Sequence, residues 1–598
     1  MFKDRNHTLE NWRDAKTGQK QAGALLEGNV RVCQTDPCEG AVYSEDYVDL
    51  ILDYNRVVEY RLPDCVQKIS RIYDVAYYPR EKLPELNIQT YSYTAIPHCY
   101  TLTDKSALEA SQILVLQDQP ALNLTGRGVL IGFVDTGIDY QNPLFRYSDG
   151  RTRIQAIWDQ TLPEGEKPDG FVYGSLFNRE KIDEALLSAE PLEVVPTLDE
   201  DGHGTFLAGI AAGGENPAEN FIGAAPESML AVVKCKQAKQ YLRDYYFIPD
   251  GVPCYQSTDL MAGVAWLAKL ADEQDLPLVI CIGMGSSQGA HDGGSPLPAF
   301  LNEVGLRRRR VLTIAVGNEA NARHHYWNRD RVGLGEQVDV EIFVGEGVNG
   351  FTLECWAQAP ELYRMTILSP TGELFPTSMN QIGGREEYTF LFENTSVSVD
   401  YGMVGSQQSN QLIFLRMERP LQGIWTLRIM PTYAIRGEFH MWLPVTEFLS
   451  GEVFFLRSNP DMTATEPAYA LAPVSVGAYQ TAGESIYTES GRGFSLAGNI
   501  KPQIVAPGVN IQGPGLRQNF VRNTGTSASA AITAGACAQL LQWGIVDGNY
   551  PTLNSTEINS ILIRGAKRSP ERSYPNTEWG FGILDVYSAL NRLRNTTS

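Results

Sequence analysis

The sequence has few basic residues, few histidines and no long apolar segment, and each shortage excludes a class of function. Acidic residues outnumber lysine and arginine by 70 to 49, so the formal net charge of the 598-residue chain is −21. Nucleic acids and anionic membranes are bound by basic surfaces, so we expect neither as a partner. The first residues are polar, no apolar signal core follows them, and no segment is long enough to predict a membrane span.

Cysteines are also scarce. Nine cysteines lie singly along the chain, except that Cys33 and Cys38 are close together. An odd count without metal-ligand spacing favours reduced thiols and predicts neither a metal site nor a cofactor. The one basic run consists of four arginines at 307–310. We interpret it as a solvated helix end just before a strand.

A run of small and apolar residues at 525–543 predicts a buried helix that begins near Ser527. A serine at a helix start is ordinarily a cap. The same position also offers free backbone N–H groups and the positive end of the helix dipole, which suit a nucleophile whose reaction forms an oxyanion. A choice between the two roles requires a base and an orienting carboxylate elsewhere in the chain.

Only seven histidines are present, so few residues can be the base. His203 lies between two glycines, which would let a substrate backbone approach its ring, and an apolar helix is predicted at 206–213. Taken alone, a histidine before a helix is more often structural. Upstream, the apolar segment 128–134 predicts a buried parallel strand that presents Asp135 at its carboxyl end. Asp135 is therefore the candidate that orients His203.

The Asp-Thr-Gly sequence at 135–137 also occurs in aspartic proteases, which need two such carboxylates sharing a proton. This chain has no second Asp-Thr-Gly and no Asp-Ser-Gly. The order Asp135, His203, Ser527 is instead that of subtilisin, and it differs from the orders in chymotrypsin and the α/β-hydrolases.

Three segments resemble the catalytic signatures of the subtilisin-like serine proteases: Val-Asp-Thr-Gly-Ile at 134–138, Gly-His-Gly-Thr at 202–205 and Gly-Thr-Ser at 525–527. The resemblance implies an α/β fold, with a parallel sheet flanked by helices, and serine endopeptidase activity. It implies that Asp135, His203 and Ser527 form the catalytic triad.

Two further segments resemble parts of the same family's substrate cleft. The segment 311–319 is similar to the strand that ends in the oxyanion-hole asparagine, which implies that role for Asn318. The segment 278–285 is similar to the strand that pairs with the bound peptide. This implies that Gly283, Met284 and Gly285 line the substrate edge.

The chain also departs from the usual family pattern. Ala528 and Ala531 stand where the family commonly has methionine and proline, and Leu144 replaces a usual acidic calcium ligand, so we expect no calcium at that position. The sequence Ser-Ala-Ser-Ala-Ala at 527–531, a long insert and Trp-Asp-Gln-Thr at 158–161 resemble the clostridial germination-specific Csp proteases. This resemblance implies a protein substrate, such as the precursor of a spore-cortex hydrolase, and a cytoplasmic or spore-associated location.

Four regions are predicted along the chain. Residues 1–100 resemble an N-terminal extension and propeptide, with strands at 47–54 and 72–78. Residues 101–335 and 447–598 are the two parts of the catalytic domain, in which strands alternate with helices. Between them, short alternating runs separated by turn signals predict an all-β module at 336–446, a sandwich or jelly roll. Csp proteases carry a jelly roll at this place.

The resemblance further implies self-processing. The propeptide would be cut once between residues 91 and 106 by its own triad and would stay in the substrate cleft. A non-catalytic alternative remains open, because some Csp relatives have lost catalytic residues and act by binding. A latent scaffold or germination sensor is therefore the second hypothesis, and the sequence does not reveal a residue preference at the cleavage site.

Overall fold

A computed structural model describes residues 40–54, 65–84, 86–102, 109–119, 122–375, 383–405 and 409–596. The N-terminal region, residues 40–102, contains β1 (Tyr47–Asp53), β2 (Cys65–Lys68), β3 (Tyr73–Pro79), α1 (Ile88–Tyr91) and β4 (Cys99–Leu102). The first three strands form an antiparallel sheet in the order β1-β3-β2. Strands are therefore present close to both predicted positions. Cys65 is disulfide-bonded, so the expectation of reduced thiols is wrong there, whereas six other cysteines are free and buried.

The next region alternates strands and helices, as predicted for a parallel sheet. Its elements are α2 (Ile113–Asp118), β5 (Leu130–Asp135), β6 (Ile154–Asp159), β7 (Ser175–Asn178), α3 (Arg179–Leu187), α4 (Pro191–Val194), α5 (His203–Ala212), β8 (Met229–Lys234), α6 (Gln240–Tyr246), β9 (Tyr255–Gln256), α7 (Ser257–Glu273), β10 (Leu278–Ile282), β11 (Met284–Gly285), α8 (Pro296–Gly305) and β12 (Arg310–Ala315).

An all-β insert follows, in which side chains of two sheets form one core. Its strands are β13 (His325–Asn328), β14 (Val338–Val344), β15 (Gly350–Ala357), β16 (Leu362–Leu368), β17 (Leu374–Phe375), β18 (Arg385–Thr389), β19 (Ser396–Val404), β20 (Asn410–Glu418), β21 (Gly423–Tyr433), β22 (Phe439–Trp442) and β23 (Val453–Phe455). The sheet orders are β13-β22-β15-β20-β19-β18 and β17-β16-β21-β14-β23. The strands β13 and β23 therefore lie outside the predicted bounds 336–446, one before them and one after them.

The C-terminal part returns to the strand-and-helix region. Its elements are β24 (Val474–Gln480), β25 (Ser485–Ile486), β26 (Ile504–Pro507), β27 (Ile511–Pro514), β28 (Phe520–Asn523), α9 (Thr526–Leu541), α10 (Ser555–Gly565) and α11 (Val586–Thr596). The helix α9 continues as a π-helical turn at Gln542–Val546.

A central sheet joins the two strand-and-helix parts. Its strands lie in the order β25-β24-β12-β10-β5-β8-β6-β7, with β26 also paired to β24. All of these pairs are parallel except β24 with β25 and β6 with β7. Alternate residues of β5 face opposite layers: Ile131 and Phe133 pack on the side of α5 and α9, and Leu130 and Val134 on the side of α7 and α8. The sheet is covered on both faces, which explains why its strands read as continuous apolar runs.

One prediction about exposure differs from the structure. Arg310 begins β12 and is buried, with its guanidinium paired to Asp272, so the interpretation of the arginine run as a solvated helix end is wrong at this residue. Burial lowers the pKa of Arg310. The helical stretch Thr526–Val546 is long and apolar enough to cross a membrane, but 89% of its apolar window is buried within the protein. This burial agrees with the buried helix predicted at 525–543.

Candidate active site

Asp135 is the last residue of β5 and is presented at the carboxyl end of the central sheet. Its side chain is buried, and Oδ1 accepts hydrogen bonds from the Thr136 backbone N–H at 2.8 Å and from Nδ1 of His203 at 2.7 Å. The carboxylate therefore fixes the orientation of the imidazole and requires the proton on Nδ1. In that tautomer Nε2 is the acceptor.

The glycines around His203 allow the start of α5 to pack against the loop after Asp135. Gly202 has a φ of +92°, in the left-handed region. A Cβ on Gly204 would lie only 2.2 Å from the carbonyl oxygen of Gly137, and the Gly204 N–H donates to Thr136 Oγ1 at 2.9 Å. A larger residue at 204 would push the helix and the imidazole away from the carboxylate.

Ser527 is the second residue of α9, near the positive end of the helix dipole. Its Oγ lies 3.2 Å from Nε2 of His203, and the residue is 0% exposed. The three residues taken from separate sequence segments thus form one continuous chain of contacts, from carboxylate to imidazole to hydroxyl. Such a chain can transfer the hydroxyl proton to the imidazole.

Asn318 follows β12, and the structure brings it to the start of α9. Its Oδ1 accepts hydrogen bonds from the backbone N–H and the hydroxyl of Thr526, at 3.2 and 3.3 Å. These contacts orient its amide nitrogen, which donates no hydrogen bond to any residue in the described part of the chain. The next residue, Glu319, accepts hydrogen bonds from Nδ1 of His324 at 2.9 Å and from the Thr446 N–H at 3.3 Å, which fixes the loop.

The predicted substrate edge lies directly beside the serine and the histidine. A Cβ on Gly283 would be 3.0 Å from Cε1 of His203 and 3.2 Å from Cβ of Ser527. Met284 and Gly285 form β11, which is antiparallel to β4 of the N-terminal region. A larger residue at 283 would therefore crowd His203 and Ser527.

The strand β4 occupies the cleft between β11 and β9. Leu102 pairs with Met284 and Thr101 with Gly285, while Cys99 pairs with Gln256 on the other side. In an antiparallel pair each further residue of β4 advances toward Gly283, and therefore toward Ser527. The predicted processing window, 91–106, lies partly outside the described residues.

Thr465 lies between the predicted substrate edge and the Asn318 loop. A Cβ on Gly285 would be 2.2 Å from Thr465 Oγ1, and one on Gly317 would be 2.5 Å from Thr465 Cγ2. The buried Oγ1 has no hydrogen-bond partner among the described residues.

Sequence reasoning did not identify Asp199, which holds the start of α5. Its carboxylate accepts hydrogen bonds from the backbone N–H groups of Gly202 and Thr205, at 2.8 and 2.9 Å. An acidic residue shortly before a helix is a recognisable capping signal. Burial raises the pKa of the nearby Asp201, and His203 acts against this shift.

No group of three or more histidine, cysteine, aspartate or glutamate side chains within the described ranges is arranged to hold a metal ion. At Leu144, where the family often has a calcium ligand, the carbonyl oxygen instead accepts a hydrogen bond from Nη2 of Arg153 at 2.6 Å. A fixed guanidinium at this carbonyl is incompatible with a cation bound to the same oxygen.

The subtilase family model matches residues 126–341 and 456–582, which include Asp135, His203 and Ser527. The chain belongs to the subtilase family. The family and the α/β fold expected from the sequence motifs are thereby confirmed. The gap in the match contains most strands of the insert.

Individual relatives agree with this assignment. The structure of the CspB protease of Clostridium perfringens superposes with a TM-score of 0.72 at 30% identity, over 81% of this subtilase and 98% of that chain. The C5a peptidase of Streptococcus pyogenes serotype M18 is 22% identical over 85% of this chain and 44% of its own length. The Arabidopsis thaliana subtilisin-like protease SBT3.7 is 22% identical over 78% and 63%. This subtilase thus spans less than two thirds of the length of either curated relative.

Proposed function

We propose that this subtilase is a serine endopeptidase in which Ser527 attacks a peptide carbonyl. His203 accepts the serine proton through Nε2 and returns it to the leaving amine, and Asp135 stabilises the imidazolium that forms. The observation that carries the proposal is the pair of contacts at 2.7 and 3.2 Å that joins these residues. Water then releases the acyl group by the same proton transfers in reverse.

The oxyanion of the tetrahedral intermediate is bound by the side-chain amide of Asn318 and the backbone N–H of Ser527. Two facts support this role: the Asn318 oxygen is engaged by Thr526, which directs the amide nitrogen elsewhere, and Ser527 lies at a helix N-terminus. Preorganised donors of this kind commonly supply about 3–4 kcal/mol of transition-state stabilisation each. Gly283, Met284 and Gly285 hold the substrate backbone.

Self-processing extends the proposal to the N-terminal region, which we assign as the propeptide. The register of β4 supports cleavage just beyond Leu102, because Leu102 is opposite Met284, whose neighbour Gly283 lies beside Ser527. The bond after residue 103 is therefore the expected site. Tethering the bond to its own catalytic centre gives a high effective concentration, so cleavage is intramolecular. The cut piece remains bound through β4 and through β1.

The insert is proposed to be a jelly roll that braces the catalytic domain, built around the predicted bounds 336–446. Its two sheets share a core in which Leu353, Leu415 and Trp425 are fully buried. It contacts the Asn318 loop through Thr446. A packed core and a contact beside the oxyanion hole fit a brace better than a mobile appendage.

The physiological substrate is proposed from resemblance to the Csp proteases. It is the inactive precursor of a spore-cortex hydrolase, which the enzyme cuts at germination, and the proposed location is cytoplasmic or spore-associated. The support is the 30% identity to the Clostridium perfringens CspB protease. Incubation of the purified precursor with the self-cleaved enzyme tests this part, with Ser527→Ala as the control.

A latent scaffold is the alternative, and one observation favours it. A segment of the chain itself fills the substrate edge, and Ser527 is 0% exposed. A fluorophosphonate probe separates the two hypotheses, because it reacts only with an accessible, activated serine. Labelling of the purified chain that disappears in Ser527→Ala supports the protease, whereas an unlabelled wild-type chain supports the scaffold.

A further inference from the structure

His98, just before β4, lies in a closed acidic pocket. It is 3% exposed, and its Nδ1 is 3.7 Å from Oε2 of Glu466. Glu466 is 0% exposed, and this Oε2 accepts no hydrogen bond from any described residue. Nε2 of His98 also has no hydrogen-bond partner within the described ranges. The pocket therefore contains the imidazole of His98 and, beside it, a carboxylate oxygen of Glu466 that accepts no hydrogen bond from any described residue.

The second acidic wall is Glu354, contributed by β15 of the insert. Its Oε1 accepts a hydrogen bond from the Tyr93 hydroxyl at 2.7 Å, and its Oε2 accepts one from the Gly289 N–H at 3.0 Å. Burial raises the pKa of Glu354, and the nearby charge of His98 opposes that rise. The ring of Tyr93 lies 5.0 Å from the ring of His98. His98 is thus located between a carboxylate of the catalytic domain and one of the insert.

The backbone at this point is bound in the manner of a peptide substrate. The His98 N–H donates to Ser257 Oγ at 3.2 Å, and the His98 carbonyl accepts from the Ser257 N–H at 2.9 Å. The extended segment continues directly into β4. A substrate that replaced residues 98–102 would place its own side chain in the same pocket, and departure of Tyr93 would free Oε1 of Glu354.

We propose that Glu354 and Glu466 form a substrate subsite for a basic side chain, at the position that His98 occupies. This inference rests on the proposed protease function and specifies its substrate class. The 3.7 Å between Nδ1 of His98 and Oε2 of Glu466 exceeds hydrogen-bonding distance. A lysine carries an ammonium group with three donors on a flexible chain, which can reach both carboxylates. A neutral or acidic side chain would leave two buried carboxylates without a cation, which is unfavourable.

Self-cleavage of the full chain tests the subsite without an added substrate. His98→Lys, His98→Leu and His98→Glu are made, and the rate at which two pieces appear is followed in cell-free translation. We expect the lysine variant to be cut at least as fast as the parent, the leucine variant about tenfold more slowly, and the glutamate variant slowest. In a Glu466→Gln background the lysine and leucine rates should become equal. Equal rates for all three variants in the parent background would overturn the subsite.

Peptides corresponding to residues 97–106 provide a second test on the self-cleaved enzyme. Lysine at the position of His98 should give a kcat/KM about tenfold above leucine, and Glu466→Gln should remove this preference. Glu361→Gln is the matched control, because Glu361 is also a buried carboxylate, but it lies in the insert and binds backbone N–H groups at 435–437. It should leave the preference unchanged. A preference that survives Glu466→Gln contradicts the proposal.

A third measurement does not depend on catalysis and so separates this inference from the protease proposal. The three His98 variants are placed in a Ser527→Ala chain and compared by thermal melting. A melting temperature that is highest for lysine, lower for leucine and lowest for glutamate supports the acidic pocket even if no variant is ever cut, provided that Glu466→Gln abolishes this order. In that case only the protease proposal fails. The same order of melting temperatures with and without Glu466→Gln refutes the acidic pocket.

Discussion

Asp49 offers a quantitative test of how firmly the N-terminal region is held. It lies in β1 and is 0% exposed, and its Oδ1 is 2.6 Å from Nζ of Lys239 in the catalytic domain. Its Oδ2 accepts a hydrogen bond at 2.6 Å from Gln256 of β9, the strand beside β4. The same lysine donates to the Ala41 carbonyl at 2.7 Å. One buried carboxylate therefore links the N-terminal region to both the lysine and the substrate cleft.

The substitution Asp49→Leu removes the carboxylate and leaves Lys239 buried without its anion. Loss of one partner from a buried ion pair costs about 3–5 kcal/mol. This cost applies only to the bound state, because Lys239 is hydrated once the pieces separate. At 1.4 kcal/mol per factor of ten, the Kd of the cut N-terminal piece should rise roughly 100-fold to several thousand-fold.

Native size-exclusion chromatography of the self-cleaved protein over a dilution series measures this change. The wild-type pieces should elute together, and those of Asp49→Leu should separate at higher protein concentrations. Adding Lys239→Met should restore part of the affinity, since an apolar pair replaces an unpaired charge. Asp46→Leu, at an exposed carboxylate of the same region, is the control and should behave as wild type. Co-elution of the Asp49→Leu pieces at every dilution would refute the reasoning.

Three further predictions concern other parts of the molecule. Burial lowers the pKa of His291 and of His325 to about 3. Below the ordinary histidine pKa near 6.5 the unfolded chain therefore binds more protons than the folded chain. The free energy of unfolding should fall as the pH falls from 6.5 toward 3, by roughly 2 kcal/mol per histidine between pH 7 and pH 5. Urea unfolding at pH 7 and pH 5 measures this change, and equal midpoints would contradict it. Thr465→Gly should open space between Gly285 and Gly317, so profiling with a peptide library should show acceptance of larger residues near the cleaved bond. An unchanged profile would show that Thr465 does not restrict the substrate. Limited proteolysis should spare residues 336–446 of the native protein, and rapid cutting throughout them would contradict a packed insert.

The contact of Asp135 with His203 and of His203 with Ser527 was predictable because each residue lies in a short local pattern. An apolar strand ending in Asp135, a histidine between glycines and a serine at the start of a small-residue helix are all legible in the sequence. The structure supplies the reason for the glycines, since a Cβ on Gly204 would collide with the Gly137 carbonyl. Such a close approach allows only glycine, so the position is recognisable in the sequence as part of a motif.

Features that depend on long-range packing were not predictable. Asp49 and Lys239 are 190 residues apart, and no local pattern pairs them. Arg310 was assigned to solvent because arginine runs are usually solvated, but the residue before it adopts a φ of +64° and its own side chain packs against α7. The acidic pocket at His98 likewise combines residues from three distant regions, so its chemistry is visible only in the fold.

Self-cleavage with and without Ser527 tests the central claim most directly. Wild-type chain should run as two pieces on a denaturing gel, the new N-terminus should follow residue 103, and the rate of cutting should not depend on protein concentration. Ser527→Ala should remain one chain under the same conditions. Processing of Ser527→Ala at the wild-type rate, or cutting that accelerates in proportion to concentration, would contradict an intramolecular serine protease and require an outside enzyme or a second molecule.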